Sequence, residues 1–197
     1  MPGIALRTAP GVARKVGTVG GPVLGIELPG AVTAEPLARL GEILAVVSDR
    51  FRQKRPGSFD LSIDPAGLGI TDVDRDGSRF FLVYVSGPGF GDEDTFDSEH
   101  ADGPDLKPLI GFTPTHGVTV AAMGNGQVDH LLTAELTARV QEVVGGVINA
   151  EVDEEQIELV RGLPGVIAVV DEPWECALGT AEFLRGWAAS EGFRLVK

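Results

Sequence analysis

Apolar positions change period along this chain, and each change marks an element. Val23 to Leu28 is a short apolar run closed by Pro29-Gly30, which predicts a strand. Thr33 then stands as a helix N-cap, and Leu37, Leu40, Ile43, Leu44, Val47 and Phe51 fall on one stripe at helical spacing, predicting a helix to about Phe51. Arg50, Arg52, Lys54 and Arg55 close that stripe before Pro56-Gly57. Cations there suit the negative end of a helix dipole, with a phosphate or an acidic partner as the other reading. Phe59, Leu61 and Ile63 alternate as in a strand, and Arg79 to Ser86 reads as a more buried one entered through an Asp76-Gly77 turn.

The second half repeats the mixture. Val118 to Met123 predicts a strand that leads through Gly124-Asn125-Gly126 into a helix near Val128 to Val144. A strand at Val147 to Val152, a short acidic helix around Glu154 to Arg161 and a strand at Val166 to Val170 follow. A helix from about Thr180 to Ala189 and a last strand, Phe193 to Val196, complete the chain. Strands and helices mix without strict alternation. That predicts an α+β two-layer sandwich, with a mixed or antiparallel sheet of about six to seven strands and three to four helices. Residues 1–20, with Arg7, Arg14 and Lys15 but no apolar stretch of signal-peptide length, read as a mobile tail ahead of a single domain at 21–197.

Charge changes the picture most between Gly91 and Asp105. Asp92, Glu93, Asp94, Asp97, Glu99, Asp102 and Asp105 occur there without one Lys or Arg, in what reads as an irregular acidic loop between two apolar strands. Ionised carboxylates are too costly to bury unpaired, so this segment solubilises the chain, binds cations or faces a basic partner. The whole chain carries 29 acidic and 16 basic residues, a net charge of −13, which argues against nucleic-acid binding through phosphate neutralisation. The single Cys176 permits no internal disulfide and suits a reducing cytoplasm. No apolar run approaches the roughly 20 residues of a membrane-spanning helix.

Motifs that could carry chemistry are incomplete. Asp72, Asp74 and Asp76 before Gly77 open like a calcium loop, but the position for the bidentate Glu is Val83, so an Asp-Gly turn accounts for the segment and a weak metal site is the alternative. Gly124-Asn-Gly126 sits between strand and helix as a dinucleotide turn does. Asp129 occupies the third glycine position, where a carboxylate caps the helix itself and repels pyrophosphate. No cofactor is expected. His130 beside Asp129 is the one pair that resembles an oriented general base. Trp174, beside Asp171, Glu172 and Glu175, is either tucked under its own loop or an aromatic anchor ringed by acids, the composition of a hot spot for a basic partner.

Gly111-Phe112-Thr-Pro114, Val128-Asp129-His130-Leu-Leu, Gly145-Gly146-Val-Ile, Leu163-Pro164-Gly165, Ala181-Glu-Phe-Leu-Arg-Gly-Trp187 and the closing Gly192-Phe-Arg-Leu-Val-Lys197 together resemble a family of uncharacterised proteins from high-GC bacteria, a domain of unknown function. The resemblance includes Gly21-Pro-Val-Leu-Gly25 and covers residues 21–197. It implies one compact domain, and a setting in which small acidic proteins serve as immunity partners of toxins; it brings no activity or catalytic residues.

The expectation is therefore a cytoplasmic, non-enzymatic acidic binding protein, in its most concrete form an immunity-type inhibitor of a basic toxin. Asp92, Glu93, Asp94, Asp97 and Glu99, joined by carboxylates between Glu151 and Glu158, would steer the partner, and Phe90, Phe96 or Trp174 would anchor it. The alternative is a small-molecule or metal-dependent enzyme centred on Asp129 and His130.

Overall fold

The computed structural model describes residues 20–71, 77–90, 93–101 and 103–196, the side chains of Thr95 and Glu99 excepted. Among these residues the chain forms one open, fully antiparallel sheet of eight strands, ordered β2-β3-β4-β5-β1-β6-β8-β7, with six α-helices. The α+β class holds, and both counts exceed the six to seven strands and three to four helices expected.

β1 (Val23–Leu28) lies at the centre, paired on one side with β5 (His116–Ala122) and on the other with β6 (Val147–Glu151). Period-two alternation sends Leu24, Ile26 and Leu28 to one face, where they meet the stripes of α1 (Ala34–Val47), α4 (Gln127–Val144) and α6 (Ala181–Ala188). Leu40, Leu44, Leu132, Leu136, Phe183 and Trp187 are fully buried in this layer. Trp187 is held there by more than area. Its ring lies 5.8 Å from Phe183 and meets Phe193 edge-on at 5.2 Å, while its indole N–H donates to Gln156 at 2.8 Å.

α1 stops four residues before Phe51. Ser48 turns its hydroxyl back to the Leu44 carbonyl at 2.6 Å, and the chain leaves the helix as β2 (Arg50–Arg55), which pairs with β3 (Ser58–Ile63) and is exposed throughout. The basic cluster therefore lies on an edge strand and not on a helix end. Phe51 kept the helical spacing only by coincidence; its ring stacks on Phe59 across the two strands at 5.7 Å. β4 (Arg79–Ser86) continues the sheet from β3 to β5.

On the far side, β8 (Cys176–Gly179) was not foreseen. It inserts between β6 and β7 (Val166–Val170), so β7 becomes the other edge. Phe193 to Val196 forms no strand. Phe193 and Leu195 are buried against the helical layer, with the Phe193 carbonyl accepting from Gln127 at 2.9 Å.

The predicted irregular loop is also corrected. Glu93–His100 is a helix, α2, and Lys107–Ile110 is a short one, α3. Ile110 of α3 and Trp174 pack against a small cluster of Leu106, Val147, Val170, Cys176 and Leu178 on the sheet's second face, while Phe96 of α2 packs near Gly117. A partial third layer thus joins the expected two. α5 (Ile157–Arg161) lies beside β7. No helix among the described residues is long and apolar enough to cross a membrane.

Candidate functional site

The second face of the sheet carries a polar centre built on Glu27. In Val23–Leu28 every alternate side chain faces the helical core, which leaves Glu27 facing the other way, only 6% exposed. Its Oε1 accepts from the Asn149 side-chain amide of β6 at 2.9 Å, and its Oε2 lies 2.9 Å from Nε2 of His100. The backbone here is tight. A methyl group at Gly146, whose φ is +77°, would stand 2.3 Å from the Glu27 carbonyl oxygen, so only glycine lets the turn into β6 approach this closely.

His100 closes α2. Its Nδ1 donates to the Phe96 carbonyl at 2.8 Å, and the two rings stack with centroids 4.1 Å apart. The carbonyl can only accept, so Nδ1 is the donor there, and Nε2 is the ring nitrogen turned to the Glu27 carboxyl group. Phe96 is 5% exposed, and its edge lies 3.5 Å from where a side chain at Gly117 would begin. Phe96 is therefore the inward anchor of α2, and it is not available as a partner anchor. Nearby, His116 Nε2 donates to the Pro88 carbonyl at 3.0 Å and Phe90 meets the His116 ring edge-on, fixing the approach to α2.

With Phe96 and His100 turned inward, Glu93, Asp94 and Asp97 face solvent. Glu93 accepts from the Gly89 backbone N–H at 2.8 Å. Among the described residues, no Lys or Arg pairs with any of these three carboxylates. Asp92 and the Glu99 side chain lie outside the described residues, as do Asp72, Asp74 and Asp76 of the calcium-like motif and residues 1–19. No group of three or more potential metal ligands occurs among the described residues.

Trp174 is brought to the same face. It is half-buried against the Leu106, Cys176 and Leu178 cluster, and its ring edge is 3.9 Å from the position of a side chain at Gly103, so the tryptophan loop abuts the end of the acidic segment. Glu172 and Glu175 flank it with no Lys or Arg partner among the described residues, whereas Asp171 accepts from Arg161 at 2.9 Å. The aromatic thus stands beside Gly103, just past the C-terminal end of α2. Glu151, Glu154, Glu155 and Glu158 are exposed beyond it.

Asp129 and His130 sit elsewhere, on the helical side, each only 1% exposed. Asp129 Oδ2 accepts from the Gly126 N–H at 2.7 Å, a side-chain cap reaching back to the start of α4, with Arg79 Nε 4.0 Å from Oδ1. His130 Nδ1 accepts from the Leu195 N–H at 3.1 Å. The two side chains hold two different backbone segments, and no hydrogen bond joins them. Cys176 is buried, and burial, then the nearby Glu151 and Glu27 carboxylates, push its thiol up to about 12, far from nucleophilic range.

The family of unknown function DUF6368 matches residues 20–197. The chain belongs to the DUF6368 family. No curated protein and no solved structure matches it. For this DUF6368 member, then, the site rests on its own geometry. Sequence reasoning missed Glu27 and Asn149 altogether. The available signal was a lone carboxylate inside the apolar run Val-Leu-Gly-Ile-Glu-Leu, which must find a partner wherever its face is covered.

Proposed function

We propose that this chain is a non-enzymatic acidic binding protein whose partner is a basic protein, and that its specific form is an immunity-type inhibitor covering the cationic active site of a toxin. The observation that carries the reading is the division of labour on α2. Phe96 and His100 are committed to the sheet, while Glu93, Asp94 and Asp97 are exposed and meet no Lys or Arg among the described residues. A helix anchored this way presents its carboxylates on a fixed support. Negative charge held in place complements a cationic cleft with less ordering cost than a flexible loop would incur.

The mechanism is charge mimicry. The carboxylates of α2, with Glu172 and Glu175, steer the partner over a Debye length of about 8 Å at physiological salt. The exposed edge of Trp174 then supplies apolar contact at the margin of the acidic surface.

The test is capture from a lysate of the native host, using the wild-type protein and a Glu93→Gln/Asp94→Asn/Asp97→Asn variant side by side at low and high salt. The expected result is a basic protein retained by the wild type at low salt and lost both at high salt and with the variant. Equal retention by the two baits would remove the acidic helix from the binding surface and defeat the proposal.

A further inference from the structure

The opposite edge of the sheet has the opposite charge. β2 places Arg50, Arg52, Lys54 and Arg55 on six consecutive exposed positions of a chain whose net charge is −13. Lys54 is matched to Asp60 at 2.9 Å, but Arg50 and Arg52 pair with no carboxylate among the described residues. Registers with β3 and β4 set Arg50 beside Ser62 and Phe80, and Arg52 beside Asp60, on the face away from the helical core. These residues line a shallow depression of about 120 Å³, and Phe80 is 58% exposed in it. Phe51, half-exposed, points to the other face between the two arginines.

As an edge, β2 has backbone N–H and C=O groups with no strand beyond them among the described residues. Its cations repel a second copy of the same edge, so they disfavour self-pairing. They favour an incoming strand of opposite sign. Across an antiparallel pair, side chains directly opposite interact, so Arg50 and Arg52 ask for acidic residues two positions apart, and Phe51 asks for an apolar residue between them.

We propose that β2 is a docking edge for an acidic extended segment of another protein, which adds as a ninth strand with alternating carboxylate and apolar side chains. This surface is separate from the acidic face of α2, and neither proposal depends on the other.

The probe is a fluorescein-labelled peptide alternating Glu and Val, tested on the full chain by fluorescence polarisation and by backbone amide chemical shifts. Controls are the same peptide with Gln for Glu, the Glu peptide methylated on alternate backbone nitrogens, and a labelled single-stranded oligonucleotide. The expected result is saturable, salt-sensitive binding of the Glu peptide that shifts β2 amides and weakens by about tenfold in Arg50→Glu/Arg52→Glu, with the Gln and methylated peptides weaker. Both arginines are exposed, and an unchanged melting temperature confirms that the variant is folded.

Four results would overturn the proposal: no saturable binding up to millimolar peptide, shifts confined to other elements, undiminished binding by the methylated peptide, or undiminished binding by the variant. Preferential binding of the oligonucleotide at β2 would replace the acidic strand with nucleic acid. Concentration-dependent mass in sedimentation, abolished by the same variant, would replace it with a second copy.

Discussion

His100 and Glu27, 73 positions apart, meet through a 2.9 Å contact that ties the acidic helix to the central strand. Breaking it with His100→Ala removes this bond and leaves Glu27 with Asn149 as its one remaining side-chain partner among the described residues, in a nearly buried site. The expected cost is about 1–2 kcal/mol. Hydrogen exchange should accelerate in α2 while β1 and β5 stay protected. Unchanged α2 exchange would show that Phe96 alone suffices to hold the helix.

Asp129→Ala deletes the acceptor for the Gly126 N–H, and His130→Ala deletes the acceptor for the Leu195 N–H. Each is expected to lower stability by about 1–3 kcal/mol, measured by urea denaturation. His130→Ala should also expose the C-terminal residues to proteolysis. A catalytic pair would behave otherwise, with full stability and the loss of a measurable turnover.

The Arg185 guanidinium bonds Glu142 at 2.5 and 3.0 Å, and this bond holds the Glu142 carboxyl below its ordinary value of 4.5 against the opposing effect of burial. A depressed folded value means that the contribution is present above 4.5 and is lost as pH falls through the folded value. In Glu142→Gln, the stability profile measured by denaturation should therefore be flatter over that acidic window than in the wild type. Identical slopes would assign no linkage to this pair.

Cys176 should ignore a thiol reagent at pH 8 in the folded protein and react at once after unfolding. Its folded value of about 12, against an ordinary 9.0, means that the thiol favours the folded state below 9.0 and loses this contribution as pH rises toward 12. The modification rate in the native state then reports global opening. Fast labelling without unfolding would contradict the burial of β8.

The helical layer was legible because its stripes are long. Leu40, Leu44, Leu132 and Leu136 repeat at a period that only a helix satisfies, and Phe59, Leu61 and Ile63 alternate as only a half-buried strand does. The edge β2 was not legible, because a strand with six exposed positions has no apolar alternation to announce it, and Phe51 extended the neighbouring helical stripe by chance. β8 is four residues long and wholly buried, so it carries no period at all. In α2 the acids hid the pattern. Phe96 and His100 are four apart and face inward, but one aromatic and one histidine among carboxylates read as solvent-exposed chain. The site was half visible for the same reason: its carboxylates are local in sequence, whereas the Glu27 to His100 contact exists only after β1 and α2 are brought together.

The two ends of the sheet differ in how they resist growth. β7, Val-Ile-Ala-Val-Val, has no charge and no proline, and Ile167 is 46% exposed. At neutral pH, mutual repulsion among strongly anionic molecules keeps such edges apart. Acidification removes that repulsion before it removes any hydrogen-bonding capacity. Precipitation during low-pH handling is thus expected to begin at β7, and a single Ile167→Lys exchange at its exposed position should raise the protein's solubility there.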